Sequence, residues 1–376
     1  MLKGETNWNK RDFIGQKTKA ISFIKYFFNR VYKSLNVVFL VLFLCFQNGC
    51  NSCREPRLRL GAYFGAPLGI AYPDPNNLGK HNYVDFWGEK IGLVYTSRGG
   101  FIDIGHLRDA ADRTEYCTSI VYENLSKENT EFTFTLLEPS EYKVTIKYSG
   151  IWNDLTDKDK LAKDISIEMG QYFAYTAMVW HEIITWYGYK YTGIFSEYIS
   201  SFSWEDIYSD LIGVRIAGKA LHKNHEQFDE TMTKLIYDEL QYLDVQPVKT
   251  AKRAEKMIKG KWYRGTIYPL TELAKRNLDI GIDDGYVTPW LVPGVCNDTL
   301  PVPYSVPDLS FLEQYGITIE FKIEPKIMEK DKILKAVYPE NNSKYIFPAK
   351  DFSKIMDDIR NKEIERYGKE FDLPEL

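Results

Sequence analysis

Between Asp157 and Gly188 small side chains recur at steps of three and four residues, at Gly170, Ala174, Ala177, Thr185 and Gly188. That spacing puts them on one face of a long helix, and a face without bulk lets another backbone come close. From Ser203 to His222 the pattern returns as Asp206, Asp210, Gly213, Ala217 and Ala220, with Ser203 and Asp206 spaced as a capping pair at the start. Two such helices constrain the chain to a mostly helical, tightly packed body. Docked on each other, they are expected to place His181 beside Asp206 and Asp210, in an interior where an unpaired carboxylate is costly or takes up a proton.

The other elements follow from period and punctuation. Ile91 to Thr96 reads as a strand, Gly99-Gly100 as a break, and Ile102 to Leu125 as a helix that carries Asp103, His106 and Ala110 along one side. Alternating polarity over Phe132–Leu137 and Tyr142–Tyr148, around Glu138-Pro139-Ser140, predicts a β-hairpin with a structural, shielding role. Helices are expected near 226–243, 248–259 and 351–366, and a strand over 318–323. The Pro- and Gly-rich stretch from Arg54 to Asn82 reads as a loop-rich wrap. The fold class is therefore α+β: a mostly helical body with a docked pair of helices and a small hairpin or sheet. Its expected divisions are residues 1–49 as a signal segment, 50–300 as the main domain, and 301–376 as a strand and helix extension packed on it.

Eight basic residues, Lys3 to Lys33, precede the ten-residue apolar run Val37 to Phe46, which ends at Gly49-Cys50. That order is the order of a secretory signal, and the run is short of the roughly 20 residues a spanning helix needs. Gly49-Cys50 resembles a bacterial lipoprotein cleavage site, with Gln47 where Leu is usual. Cys50 is then the acylated first residue, and the membrane is a partner through its lipid. Cys53, Cys117 and Cys296 remain, and Cys117 and Cys296 either bridge in an oxidising exterior or stay as free thiols. The net charge of −4, with basic residues concentrated in the leader, argues against a nucleic-acid surface. The oligomeric state is left open.

The chemistry-bearing residues are few. His181-Glu182-Ile183-Ile184-Thr185 has the first histidine and the glutamate of a zinc-binding helix, and Thr185 where a second histidine would stand. His106, His181, Asp206 and Asp210 are the expected metal ligands, with zinc as the ion suited to nitrogen and oxygen donors. Glu182, one residue round the helix from His181, suits a general base, and Arg113 or a nearby tyrosine suits an oxyanion partner. Glu197 and Glu205 are weaker acidic candidates, since Glu205 lies off the Asp206/Asp210 face and Glu197 falls in a loop. His81 lies in the wrap, His222 and His225 suit a helix end, and Trp186, Tyr187, Tyr189 and Tyr191 read as core. The alternative is a protonated His181 paired with Asp210, a packing device that needs no ion.

Two resemblances attach to these residues. Asp206-x-x-Ser209-Asp210-x-x-Gly213 resembles the second helix of thermolysin-like zinc peptidases. That likeness implies a zincin-like pair of helices, with His181 as a ligand, Glu182 as general base, Asp206 as the acidic ligand and Asp210 as the residue orienting His181. Over most of the chain beyond the leader, the strings Gly99-Gly-Phe-Ile-Asp-Ile-Gly-His-Leu-Arg108, His181-Glu-Ile-Ile-Thr-Trp-Tyr-Gly188 and Ser201-Phe-Ser-Trp-Glu-Asp206 are similar to a bacterial domain-of-unknown-function family of secreted, lipoprotein-like proteins. The expected protein is an exported, lipid-anchored component of the cell envelope, outer membrane or periplasm-facing, with a metal-dependent hydrolase site for a peptide-like or ester bond. Its rival is a non-catalytic envelope lipoprotein, a binding or assembly factor whose His/Asp cluster is structural.

Overall fold

The computed structural model describes residues 55–57, 59, 61–62, 72–84, 88–190, 196–265, 271–296, 299–340 and 342–375. The expected signal segment, the apolar run and Cys50 lie outside the described residues.

A short antiparallel hairpin launches the helical body. Strand β1 (Leu93–Thr96) pairs with β2 (Gly100–Asp103), Leu93 standing opposite Asp103. Gly100 makes the turn at a φ of 66°, and a Cβ there would fall 2.0 Å from the Trp290 carbonyl oxygen, so only glycine fits. β2 runs straight into α1 (Ile104–Ser126), whose N-cap is Asp103. Its Oδ1 accepts from Gly105 N at 2.6 Å and His106 N at 3.3 Å, satisfying two amides that the first turn would leave unpaired. His106 is thereby fixed in the opening turn.

The next hairpin joins β3 (Glu131–Thr135) to β4 (Ser140–Tyr148), and β9 (Ile317–Pro325) lies antiparallel along the whole of β4 to complete a three-stranded sheet. The inward residues of β4 alternate as Tyr142, Val144 and Ile146. Phe134, Tyr142 and Phe321 stack across the three strands, and Phe173 meets Phe321 at 4.5 Å from the long helix behind. The region after residue 300 is thus woven into the same body, and residues 55–376 form one compact unit.

A short α2 (Gly150–Asp154) precedes that long helix, α3 (Lys158–Trp186). Gly188, at φ 106°, ends it by turning its amide back to the Thr185 carbonyl at 3.0 Å, the glycine stop at which the sequence pattern runs out. Then come α4 (Asp206–Asn224), α5 (Phe228–Tyr242) and α6 (Val248–Ile258). The two-residue strands β5 (Tyr263–Arg264), β6 (Glu272–Leu273), β7 (Tyr286–Val287) and β8 (Tyr304–Ser305) make two small ladders among loops. Finally, α7 (Lys330–Val337) and α8 (Pro348–Tyr367) close the chain, α8 with proline in its first turn.

The small-residue faces do bring backbones together, although each faces α1 rather than simply the other. A Cβ on Gly170 would sit 2.2 Å from Thr118 Oγ1, and one on Gly213 would sit 2.1 Å from the Leu107 carbonyl oxygen. Helix α1 therefore lies against both, and its own histidine reaches the aspartates of α4. The capping pair forms only in part. Ser203 N donates to Asp206 Oδ2 at 3.1 Å, while the Ser203 hydroxyl goes to Glu205 Oε2 at 2.6 Å. Cys117 and Cys296 are free thiols. Among the described residues no helix is long and apolar enough to cross a membrane.

Candidate metal centre

His106, Glu182 and Asp206, one residue from each of α1, α3 and α4, present atoms that all lie within 4.8 Å of one another. His106 Nδ1 is 3.1 Å from Asp210 Oδ1, and its Nε2 is 3.6 Å from Asp206 Oδ1. Asp210 is one helical turn beyond Asp206, so the two carboxylates of α4 bracket one imidazole. A carboxylate on Nδ1 fixes which nitrogen keeps its proton and leaves Nε2 as the donor toward the cluster, the usual support of a metal-bound histidine. The second oxygen of Asp210 is buried with no partner among the described residues.

The loop before α4 completes the arrangement. Phe202 N donates to Glu182 Oε2 at 2.5 Å and Ser203 N to Asp206 Oδ2, so each carboxylate has one oxygen tied to a backbone amide. Gly61 from the wrap closes over the imidazole, and a Cβ there would come within 2.7 Å of His106 Nε2. Ala62 N meanwhile donates to Asp103 Oδ2 at 2.5 Å.

Burial sets the electrostatics. It pushes the carboxyls of Glu182 and Asp206 above the usual range, and for Asp206 the nearby Glu182, Glu205 and Asp210 add to the effect. Glu205 is pushed up to about 8 by burial, eased by the Ser203 hydroxyl. Burial pulls the His106 imidazole down, but Asp206 and Asp210 more than offset it, leaving it well above an ordinary histidine. Several carboxyls share one cation, so the cluster either holds protons or takes a divalent ion. The donor set of one nitrogen and two carboxylates fits such an ion.

His181 belongs to a neighbouring network. Its Nδ1 is 2.8 Å from Glu138 Oε1, in the turn between β3 and β4. Arg113 grips both oxygens of Glu138 at 2.9 Å each, and its Nε donates to Asp109 at 2.9 Å. Burial lowers the His181 imidazole, but the Glu138 bond and charge outweigh that and raise it to about 9, so it is cationic at neutral pH. Glu138 is held well below the carboxylate range by Arg113 and His181, against a burial that pushes the other way. Glu197, raised by burial, stands in the field of His181, Glu182 and His106.

The imidazole beside Asp206 and Asp210 is thus His106, whereas the sequence reading placed His181 there. Neighbouring helical residues point about 100° apart, so α3 sends His181 toward the hairpin turn and Glu182 toward α4. Arg113, expected at an oxyanion, is committed to Asp109 and Glu138 through all three nitrogens of its guanidinium. Glu138 was not singled out, because a glutamate in a hairpin turn gives no local sign of burial. His81 is buried, with Nε2 2.9 Å from Asp112, in a network with Glu89, Arg59 and Arg108 that pins the wrap to α1. His222 meets Glu168 at 3.0 Å and His225 meets Glu115 at 3.5 Å near the surface.

A family model described as protein of unknown function (DUF4056) matches residues 70–275, just over half of the chain. The chain belongs to that family. The matched stretch includes His106, Glu138, His181, Glu182, Asp206 and Asp210, and it ends one residue before Arg276. No curated protein and no solved structure matches the chain.

Proposed function

We propose that His106, Glu182 and Asp206 bind a divalent metal, zinc foremost, and that the site hydrolyses a peptide-like or ester bond. The observation that carries this reading is the imidazole held at Nδ1 by buried Asp210 while Nε2 joins two buried carboxylates from separate helices. Three protein ligands leave an open position, as in catalytic zinc sites. A bound ion there would lower the pKa of a water and polarise a carbonyl. Glu182 then serves as a ligand, and Glu197, in the field of His181 and Glu182, is a carboxyl that can accept a proton. His181, kept cationic by Glu138, takes the charge-stabilising role first assigned to Arg113.

A rival reading has its own support. Glu182 and Asp206 each accept a loop amide, which a purely structural network in a binding or assembly factor would also use. Metal analysis separates the two. Purified full-length protein should carry about one divalent ion per chain, lose it to a chelator, and melt higher when zinc is restored. Metal-free protein with a melting temperature indifferent to zinc would leave the structural reading.

We further propose that the protein is exported and anchored in the cell envelope through acylated Cys50, on the strength of the basic leader, the apolar run and Gly49-Cys50. Mass spectrometry of the mature amino terminus should find a diacylglycerol-modified Cys50. A chain that keeps its leader would rule this out.

A further inference from the structure

We propose that Arg276 and Glu363, both remote in sequence from the cluster, are positioning residues for the ligands Glu182 and Asp206; this rests on the metal reading above. Phe202 supplies the amide that fixes Glu182, and it does so at a φ of 53°, a left-handed conformation that a bulky residue adopts only when its surroundings impose it. Arg276 supplies much of that constraint. Its side chain is fully buried, with Nη2 donating to the Tyr198 carbonyl at 3.0 Å, Nη1 donating to both the carbonyl and the hydroxyl of Ser201, and the guanidinium lying 4.6 Å from the centre of the Tyr198 ring. The next residue, Asn277, donates its amide to the Phe202 carbonyl at 3.1 Å.

Glu363 of α8 anchors this clamp. Its Oε2 accepts from Arg276 Nε at 3.1 Å, and its Oε1 accepts from Trp186 Nε1 and the Tyr198 hydroxyl at 2.9 Å each. Trp186 ends the helix that carries Glu182, one turn further on. One buried carboxylate therefore sets the distance between the end of α3 and the loop that aims the Phe202 and Ser203 amides. Two ligand carboxylates are oriented by a segment beyond the stretch the family model matches. Groups that orient ligands in this way usually change metal affinity about 10- to 100-fold when altered.

The test uses full-length protein, zinc alone as the probe, and competition against a chromophoric chelator. Glu363→Gln and Arg276→Lys should bind zinc about 10- to 100-fold more weakly than the wild type, while circular dichroism of the chelated proteins stays native. Equal zinc affinity in both variants, with only a lower melting temperature, would overturn the proposal and leave a purely structural clamp. If the wild type itself binds no zinc, the metal reading fails and this inference fails with it, an outcome distinct from the first. Should Glu363→Gln not fold, Tyr198→Phe, which deletes one hydroxyl on that carboxylate, should weaken zinc binding by a smaller factor; unchanged affinity there would count against the clamp.

Discussion

His106→Ala should remove stoichiometric metal from the protein and weaken zinc binding by more than about 100-fold, beyond the usual effect of altering a supporting residue. His106 is the one nitrogen in the His106–Glu182–Asp206 set, and its replacement leaves carboxyls only. The same variant should remain folded. Burial already drives Glu182 and Asp206 toward their neutral forms, so losing the imidazole leaves groups that can hold a proton in place of a counter-charge. Zinc content and chelator competition measure the first effect, and thermal melting in chelator measures the second. A variant that keeps wild-type zinc would remove His106 from the site.

Arg113→Met should produce the largest loss of stability, about 3–5 kcal/mol. Arg113 is buried between Asp109 and Glu138, and among the described residues no other cation grips both oxygens of Glu138. Methionine fills similar volume, so the loss isolates the uncompensated charge from the cavity. For a body of about 320 residues the melting temperature should fall by roughly 4–7 °C, at about 1.5 °C per kcal/mol. Arg113→Met combined with Glu138→Met should be less damaging than the sum of the two, because a removed pair leaves fewer stranded charges than a broken one. The remaining partner, His181, gives a pH signature. A histidine raised to about 9 on folding contributes stability that is complete below its ordinary value, near 6.5, and is lost as pH rises through about 9. Arg113→Met leaves Glu138 with His181 alone, so urea unfolding should show its stability declining across that window. Additive losses in the double variant would contradict the coupled network.

The helices were legible because apolar spacing and stop residues are local signals. Gly188 ends α3 where the pattern predicts, and the alternation over 132–137 and 142–148 yields the hairpin. The site was legible in composition but less so in pairing. His106, Glu182, Asp206 and Asp210 could be picked out because each falls near a small-residue face or a helix start. Which histidine meets the aspartates depends on the order in which three helices stack, and that is set by Gly213 against Leu107 and Gly170 against Thr118, contacts that no single helix reveals. Glu138 and Glu363 were illegible for a related reason. Each is an ordinary glutamate in a turn or a polar helix until tertiary packing buries it beside an arginine.

Cys117 and Cys296 are unpaired, and buried arginine–carboxylate contacts instead tie α1 to the wrap and to the hairpin turn, and Arg276 to α8. Such ties need no oxidant to form and no reductant can cut them. The body from 55 to 376 should therefore reach the same shape in a reducing cytosol as outside the cell, which makes leaderless production in an ordinary bacterial host a practical route to material for metal binding.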